Sequence, residues 1–507
     1  MAKPLTGSCW PRFAHVEQAN PLYGRFPSLR IVSPCQKWGP ASDGGHGMTM
    51  GLEQVIGYIR ENSDRYISEL EEFLTIPSIS TLPANKADVE RAAQWLANQL
   101  RLIGFERVEV TPTGDHPMVT GEWLKAKEGS PTVLVYGHYD VQPVDPLSAW
   151  ESPPFTPTIK GDEMFARGAA DMKGSGEAVL KSLAAWMKTT GALPVNVRIL
   201  FEGEEEIGSP HIDQFVVEHK ERLGSSFCLN CDGAMEAPDK PGIIRGVRGL
   251  ITFDVMVRSA SVDVHSGAGG AVPNSAVVLC GLIAGLHDSD DRVTLRGFYD
   301  DVRRISPAER ADIETHATPE EEIKKLTGVK QFYGERGFSP DERVLTRPTL
   351  EVNGMSAGYT GEGFKTIIPA TASAKISMRT VPYQNADNIE ASLRDYFAAN
   401  APSYVDWELK RFGRAPYALL EQGTPLLEAA SRALEESYGK KPYTGLTGGS
   451  EPIVAILKDR LGLDSAMLGC ALGDSHAHAP NERLHLPTFK RQIEAYARFF
   501  EYISAVR

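Results

Sequence analysis

The sequence predicts an α/β layered domain with a mostly parallel sheet, interrupted by an inserted α+β unit. Short apolar, β-branched runs at 132–136, 195–201, 226–231 and 465–470 alternate with helix-patterned stretches at 174–188 and 425–438. That alternation is the signature of parallel strands joined by helical crossovers. From Gly246 to about Phe412 the periodicity changes. Residues 250–258, 371–379 and 405–411 alternate apolar with polar side chains, around helix-patterned 273–287 and 388–399, as antiparallel strands with one wet face do. At 507 residues the chain also exceeds the size at which one hydrophobic core usually keeps growing.

In chain order, residues 1–47 are rich in Pro, Gly and Ser and end in Gly44-Gly45-His46-Gly47. They read as a disordered N-terminal extension, or as sequence upstream of a start at Met48 or Met50. The first part of the layered domain is expected over 48–245, the inserted unit over 246–412 and the second part over 413–507. Val55, Ile56, Ile59, Tyr66, Ile67, Leu70 and Leu74 suit one face of a helix. A second helix is expected at 87–103, with Val89, Ala93, Leu96, Leu100 and Ile103 on one stripe and Gly104 capping its end.

Composition excludes several function classes. With 53 basic and 66 acidic residues the net charge is −13, and no Lys/Arg block stands out as a nucleic-acid surface. The apolar runs are strand-sized, too short for a bilayer, and no secretory h-region opens the chain, which makes the cytoplasm the default location. Six scattered cysteines do not form a disulfide framework. Cys228 and Cys231 form one C-x-x-C inside an expected buried strand; with no second pair to answer it, core packing is the reading.

The chemistry gathers where strands end. His138 and Asp140 follow the run at 132–136, Glu204, Glu205 and Glu206 follow 195–201, Asp232 follows 226–231, and His476 and His478 follow 465–470. Ligands in open α/β sheets bind at the carboxyl ends of strands, so residues distant in sequence should converge on one sheet edge. Singly, each has a plain alternative: a satisfied loop histidine, a solvated acidic turn, or, for Asp171, a helix cap. Imidazoles with carboxylates and no thiolate suit zinc, with manganese or cobalt as alternatives. A bridging carboxylate would let two ions share a hydroxide and polarise a carbonyl oxygen.

The segments His138-Tyr139-Asp140-Val141-Gln142-Pro143, Gly168-Ala169-Ala170-Asp171-Met172-Lys173-Gly174, Glu202-Gly203-Glu204-Glu205-Glu206-Ile207-Gly208-Ser209 and His478-Ala479-Pro480-Asn481-Glu482 carry a resemblance. From about Leu52 to its end the chain resembles the co-catalytic zinc exopeptidases and deacylases. These include carnosinase-like dipeptidases, glutamate carboxypeptidase, acetylornithine deacetylase and succinyl-diaminopimelate desuccinylase. The resemblance implies a zinc-exopeptidase-like catalytic domain carrying a lid and dimerisation domain. It implies two zinc ions on His138, Asp171, Glu206, Asp232 and His478, with Asp171 bridging through a residue whose following peptide bond is typically cis. His138 and Glu206 would be terminal ligands on opposite metals, each joined by either Asp232 or His478. Asp140 would orient the His138 ring, and Glu205 would be the general acid and base. His265, in Asp263-Val264-His265-Ser266-Gly267, would reach the active site of a partner subunit and stabilise the oxyanion. Arg379 would clamp the substrate carboxylate, and Gly449 and Ser450 of Gly448-Gly449-Ser450 would complete the substrate pocket. Taken alone, His265 reads as a loop histidine bonded within its own turn.

Asp rather than Glu at position 232 leans towards dipeptidases acting on substrates with a free α-amino group. The expected activity is hydrolysis of the amide bond of dipeptides or similar small peptides. The alternatives are a deacylase of N-acyl amino acids and a non-catalytic relative that only binds ligands; the second should have lost a ligand or the base, and none is missing.

Overall fold

A computed structural model describes residues 50–506, so the extension expected at 1–47 lies outside the described residues. Among the described residues, a nine-stranded sheet runs in the order Glu106–Thr111, Met118–Trp123, Asn196–Glu202, Thr132–His138, Phe227–Asn230, Ser465–Met467, Gly242–Val247 and Ala418–Leu419, with Tyr443–Thr447 also paired to Gly242–Val247. The central four, Asn196–Glu202, Thr132–His138, Phe227–Asn230 and Ser465–Met467, are mutually parallel. Their side chains are almost wholly buried, which is why the sequence shows continuous apolar runs there rather than alternation. The pairs at the Glu106–Thr111 end are antiparallel.

Helices cover the sheet. Leu486–Ile503 and Gly174–Thr190 pack with Met50–Glu61 and Pro425–Tyr438 into the largest core, with Phe489, Tyr496 and Phe499 fully buried. The helix expected from Leu52 to Leu74 is two, Met50–Glu61 and Ser63–Leu74. The break falls at Asn62, whose side-chain amide donates to the Tyr58 carbonyl at 2.8 Å and whose ψ of 10° leaves the helical region. Lys86–Ile103 ends on Gly104 at φ 106°, a left-handed cap where glycine carries no Cβ penalty.

A second, antiparallel sheet has the order Thr349–Ala357, Thr371–Thr380, Gly249–Arg258, Asp406–Ala415. Phe253, Val255, Ile376 and Met378 face helices Ser275–Ala284 and Ala386–Asn400 and form their own core. Between Ser275–Ala284 and the Thr349 strand come three short helices, Pro307–Thr315, Glu320–Thr327 and Pro340–Thr346. Two of them begin with capping boxes, Ser306 with Glu309 and Ser339 with Glu342. Cys228 and Cys231 are buried free thiols, and burial pushes Cys228 up to about 12, as fits core packing. No helix among the described residues is long and apolar enough to cross a membrane.

Candidate active site

The carboxyl ends of the parallel strands bring the expected residues together. His138 closes its strand, the Glu204–Glu206 turn follows Asn196–Glu202, and Asp232 follows Phe227–Asn230. His478 lies on the loop after the two-residue strand Ala471–Leu472 that follows Ser465–Met467, and there His476, His478 and Asn481 all take left-handed φ between 56° and 61°. Such conformations are unfavourable for non-glycine residues and gather at functional sites.

Two groups form around Asp171. His138, Asp171 and Asp232 offer donor atoms within 4.8 Å of one another, and so do Asp171, Glu206 and His478. His138 Nε2 is 3.1 Å from Asp171 Oδ1 and 3.6 Å from Asp232 Oδ2. His478 Nε2 is 2.8 Å from Asp171 Oδ2 and 3.1 Å from Glu206 Oε2. The two oxygens of Asp171 thus face separate imidazoles, and the pairing left open by the sequence takes one form: His138 goes with Asp232, and His478 with Glu206. His476 belongs to neither group.

Surrounding residues fix these side chains. Asp140 is fully buried; its main-chain carbonyl is 3.1 Å from His138 Nδ1 and its Oδ1 3.4 Å. The same carboxylate accepts from the backbone N–H groups of Glu205 (3.3 Å) and Glu206 (3.1 Å), so one side chain sets both a histidine and the acidic turn. Gln142 donates to Glu206 Oε2 at 2.7 Å. Asp171 does not cap the helix at Gly174; it sits at φ −119°, ψ 98° in the irregular segment Ala169–Lys173, and its peptide bond to Met172 is cis.

Several acids of this neighbourhood carry no role in the sequence reading. Glu482, fully buried, accepts from Arg167 Nη1 (2.8 Å) and from the N–H groups of Gly168 (2.9 Å), Ala170 (2.9 Å) and Asp171 (3.0 Å). Glu204 accepts from Thr113 Oγ1 and the His116 N–H and meets His211 Nδ1 at 2.9 Å, pinning the turn from behind. Glu451 accepts from Asn230 Nδ2, and Asn230 Oδ1 accepts from the Asp232 N–H at 2.7 Å. Only its place directly after Gly448-Gly449-Ser450 could have drawn notice to Glu451, and only its position four residues past His478 could have done so for Glu482.

The electrostatics show what such a site requires. Burial, with the charges of Asp232, Glu206 and Asp171, pushes Glu205 up to about 8 despite His138. Burial and Asp171 push Asp232 up to about 7. Bonds to Asp171 and Glu206 raise His478 to about 10. Burial opposes a charge on His138, but its bonds to Asp140 and Asp171 win and raise it well above the ordinary value. Carboxylates this crowded need positive charge beside them. Two imidazoles and three carboxylates form a nitrogen and oxygen donor set that suits divalent cations, so the residues fit a metal pair.

The expected substrate residues are divided. Arg379 Nη1 donates to Ser450 Oγ at 2.6 Å, and Ser450 Oγ donates to the Arg248 carbonyl at 2.5 Å. The Arg248 N–H donates to the Gly449 carbonyl at 2.9 Å. His265 is exposed, accepts from the Gly267 N–H at 3.0 Å and joins neither donor group. Within its own chain it is bonded inside its turn.

A model of Peptidase family M20/M25/M40 matches residues 134–502, a span holding both donor groups and Glu205. The Beta-Ala-His dipeptidase of Rattus norvegicus is 29% identical over 478 residues, covering 89% of this chain and 95% of that protein. The Cys-Gly metallodipeptidase of Schizosaccharomyces pombe is 27% identical over 481 residues, covering 90% and 100%. The crystal structure of an M20 family metallo-carboxypeptidase from Sulfolobus solfataricus superposes with a TM-score of 0.76 at 32% identity, covering 87% of this chain and 99% of that one.

Proposed function

We propose, since the chain belongs to Peptidase family M20/M25/M40, that this metallopeptidase-class hydrolase cleaves the amide bond of dipeptides at a two-metal centre. The observation that carries the reading is Asp171, whose two oxygens face two imidazole–carboxylate groups. His138 and Asp232 would hold one ion, His478 and Glu206 the other, and Asp171 both; zinc is the metal we favour for this donor set, with manganese or cobalt as alternatives. Such ions polarise a scissile carbonyl and acidify water. Glu205, next to Glu206 in sequence and within charge range of His138, Asp232 and Asp171, takes a proton from the attacking water and hands it to the leaving amine. Asp140 holds the His138 ring and the Glu205 turn in register. Arg379, with Gly449 and Ser450, receives the substrate carboxylate. Dipeptides are favoured because the two curated relatives above are named for Beta-Ala-His and Cys-Gly.

The decisive experiment sets metal-reconstituted protein against a dipeptide panel beside N-acetyl and N-succinyl amino acids, with metal content measured in parallel. Hydrolysis of dipeptides, lost in Glu205→Gln, is expected; action on the acylated amino acids alone would replace the reading by a deacylase. A homodimer through the inserted unit, with His265 serving the neighbouring copy, is part of the proposal. Mixing inactive Glu205→Gln and His265→Ala chains should then restore part of the activity, and no rescue would show that each copy works alone. Four described cysteines, all free, accord with a reducing, cytoplasmic setting.

A further inference from the structure

A cavity of about 540 Å³ lies on the inserted unit, lined in part by the helices Pro307–Thr315 and Pro340–Thr346. That is within the roughly 300–1,000 Å³ usual for small-ligand pockets. Six arginines line it, Arg292, Arg303, Arg304, Arg310, Arg336 and Arg347, against two carboxylates, Asp290 and Glu335. The chain as a whole carries a net charge of −13, so this concentration of positive charge is a local construction. No basic run announces it in the sequence. The six positions spread over 292–347, and Arg303-Arg304 is the one adjacent pair among them. None of the six belongs to the donor groups around Asp171 or to the bonds between Arg379 and Ser450.

Four of these arginines are engaged with acids. Arg303 donates to Glu309 by two bonds of 2.8 and 2.7 Å, and Arg347 to Glu335 by two of 2.7 and 2.8 Å. Arg310 Nη1 meets Glu342 at 2.9 Å, and Arg336 meets Asp290 at 2.9 Å. Glu309 and Glu342 also accept the backbone N–H groups of Ser306 (2.9 Å) and Ser339 (2.7 Å), which fixes both outside the lining. Arg292 and Arg304 differ. Among the described residues neither guanidinium donates a hydrogen bond. Arg292 has only the Glu335 carboxylate, already taken by Arg347, at 3.8 Å, and Arg304 has no carboxylate within ion-pair distance. Arg292 is nonetheless held in place, 4.8 Å from the centre of the Tyr299 ring that Arg347 also covers at 5.3 Å.

We propose that this cavity is a separate binding site for a small polyanion bearing two phosphoryl groups, gripped by Arg292 and Arg304. A guanidinium presents a planar fork of donors that matches a phosphate in two-bond geometry. Each phosphoryl group brings about two negative charges and three acceptor oxygens. That is enough to fill one open fork and to reach Arg310, which meets Glu342 through Nη1 alone. A carboxylate ligand would bring one charge per group and leave the excess of guanidiniums less well offset. A nucleic-acid strand is gripped along an extended basic face, whereas these arginines gather around a concavity of small-molecule volume. The inference goes beyond the dipeptidase reading and stands whether or not that reading does.

The test is calorimetric titration of the metal-loaded full chain with fructose bisphosphate at fixed ionic strength, beside fructose and succinate. Saturable binding at one site is expected, about 10-fold or more tighter than succinate and absent for fructose. Arg292→Met and Arg304→Met should each weaken it by about 10-fold or more, the usual worth of a hydrogen bond to a charged group. Arg304→Lys should keep part of the affinity. Arg296→Met removes an arginine outside the lining and should leave the affinity unchanged. No binding of the bisphosphate at millimolar concentration overturns the site. Binding that Arg292→Met and Arg304→Met leave untouched puts the anion at the metal centre or elsewhere and overturns it equally. The same loss in Arg296→Met would reduce the effect to net charge, and succinate matching the bisphosphate would sink the phosphoryl class. Arg292 and Arg304 are exposed, so truncating them should spare the fold. The wild-type comparison with succinate and fructose decides the ligand class even if one variant fails to fold.

Discussion

Replacing Glu482 by glutamine keeps the side chain's shape and removes one charge from a fully buried position. The carboxylate accepts from four donors: Arg167 Nη1 and the Gly168 N–H on Oε2, the Ala170 and Asp171 N–H groups on Oε1. A carboxamide can accept on one side only, so its NH2 must confront either the first pair of donors or the second. Arg167, 1% exposed in its side chain, loses its counter-charge in either case. Breaking a buried ion pair from one side costs about 3–5 kcal/mol, and each buried N–H left without an acceptor costs about 1–3 kcal/mol more. Relaxation and entering water will recover part of this, so we expect a loss of at least about 3 kcal/mol in urea unfolding. Because the Asp171 amide is one of the four donors, the residue facing both histidines should also shift, and equilibrium dialysis should show weaker metal binding. Glu482→Gln within about 0.5 kcal/mol of wild type, the range of ordinary surface changes, with unaltered metal binding would refute the argument.

Asp140→Ala frees the His138 ring and two backbone N–H groups of the acidic turn; metal affinity should fall by about 10- to 100-fold, the usual cost of losing an outer partner of a ligand, and a titration showing no change would count against that role. Lys173 is fully buried, donates to the carbonyls of Phe73 and Ile76, and is pulled down by burial to about 7. Between about pH 7 and the usual lysine value near 10.4 the unfolded chain then binds more protons than the native one, so Lys173 contributes a rise of stability with pH across that window. Urea unfolding of Lys173→Met should lack that contribution, and an identical pH slope in both proteins would contradict it. Chelation should lower the melting temperature, and added zinc, manganese or cobalt should restore it, because a ligand bound only by the native state stabilises that state; equal melting curves with and without chelator would oppose a metal pair at this site.

The parts of the fold visible in the sequence were those with one dominant local signal. Strands Thr132–His138 and Asn196–Glu202 are buried on both faces, so their apolar runs announce them, and the residues that follow inherit a common edge from parallel pairing. Met118–Trp123, equally buried but containing Thr120, Gly121 and Glu122, gives no such run, and Glu106–Thr111 offers only Val108 and Val110 as a short, half-buried apolar face among charged residues. The short helices between Pro307 and Thr346 bury few residues each, and capping boxes rather than periodicity mark two of them. At the site, His138, the Glu204–Glu206 turn and Asp232 were legible because they lie at strand ends, whereas Asp171, in the irregular segment before Gly174, was marked only by its motif. The grip of Glu482 on Ala170 and Asp171 spans more than 300 positions, and the pairing of His138 with Asp232 depends on side-chain directions that spacing does not encode.

Two buried acids, Asp140 and Glu482, hold the segments that carry the donor groups by the same device. Each accepts from main-chain N–H groups, of Glu205 and Glu206 in one case and of Ala170 and Asp171 in the other. A carboxylate that spends its lone pairs on amides fixes backbone, and side chains leaving that backbone arrive at the site already aimed. The arrangement places further negative charge around Asp171, Glu206, Asp232 and Glu205. Arg167 offsets Glu482 directly, but the other nearby buried cation, Lys173, is itself destabilised by burial. The four inner carboxylates carry as much negative charge as two divalent cations carry positive. With a metal pair the cluster is balanced; without one it balances by holding protons, as the raised Glu205, Asp232, His138 and His478 show, so the same scaffold would exchange those protons for the ions that would do the chemistry.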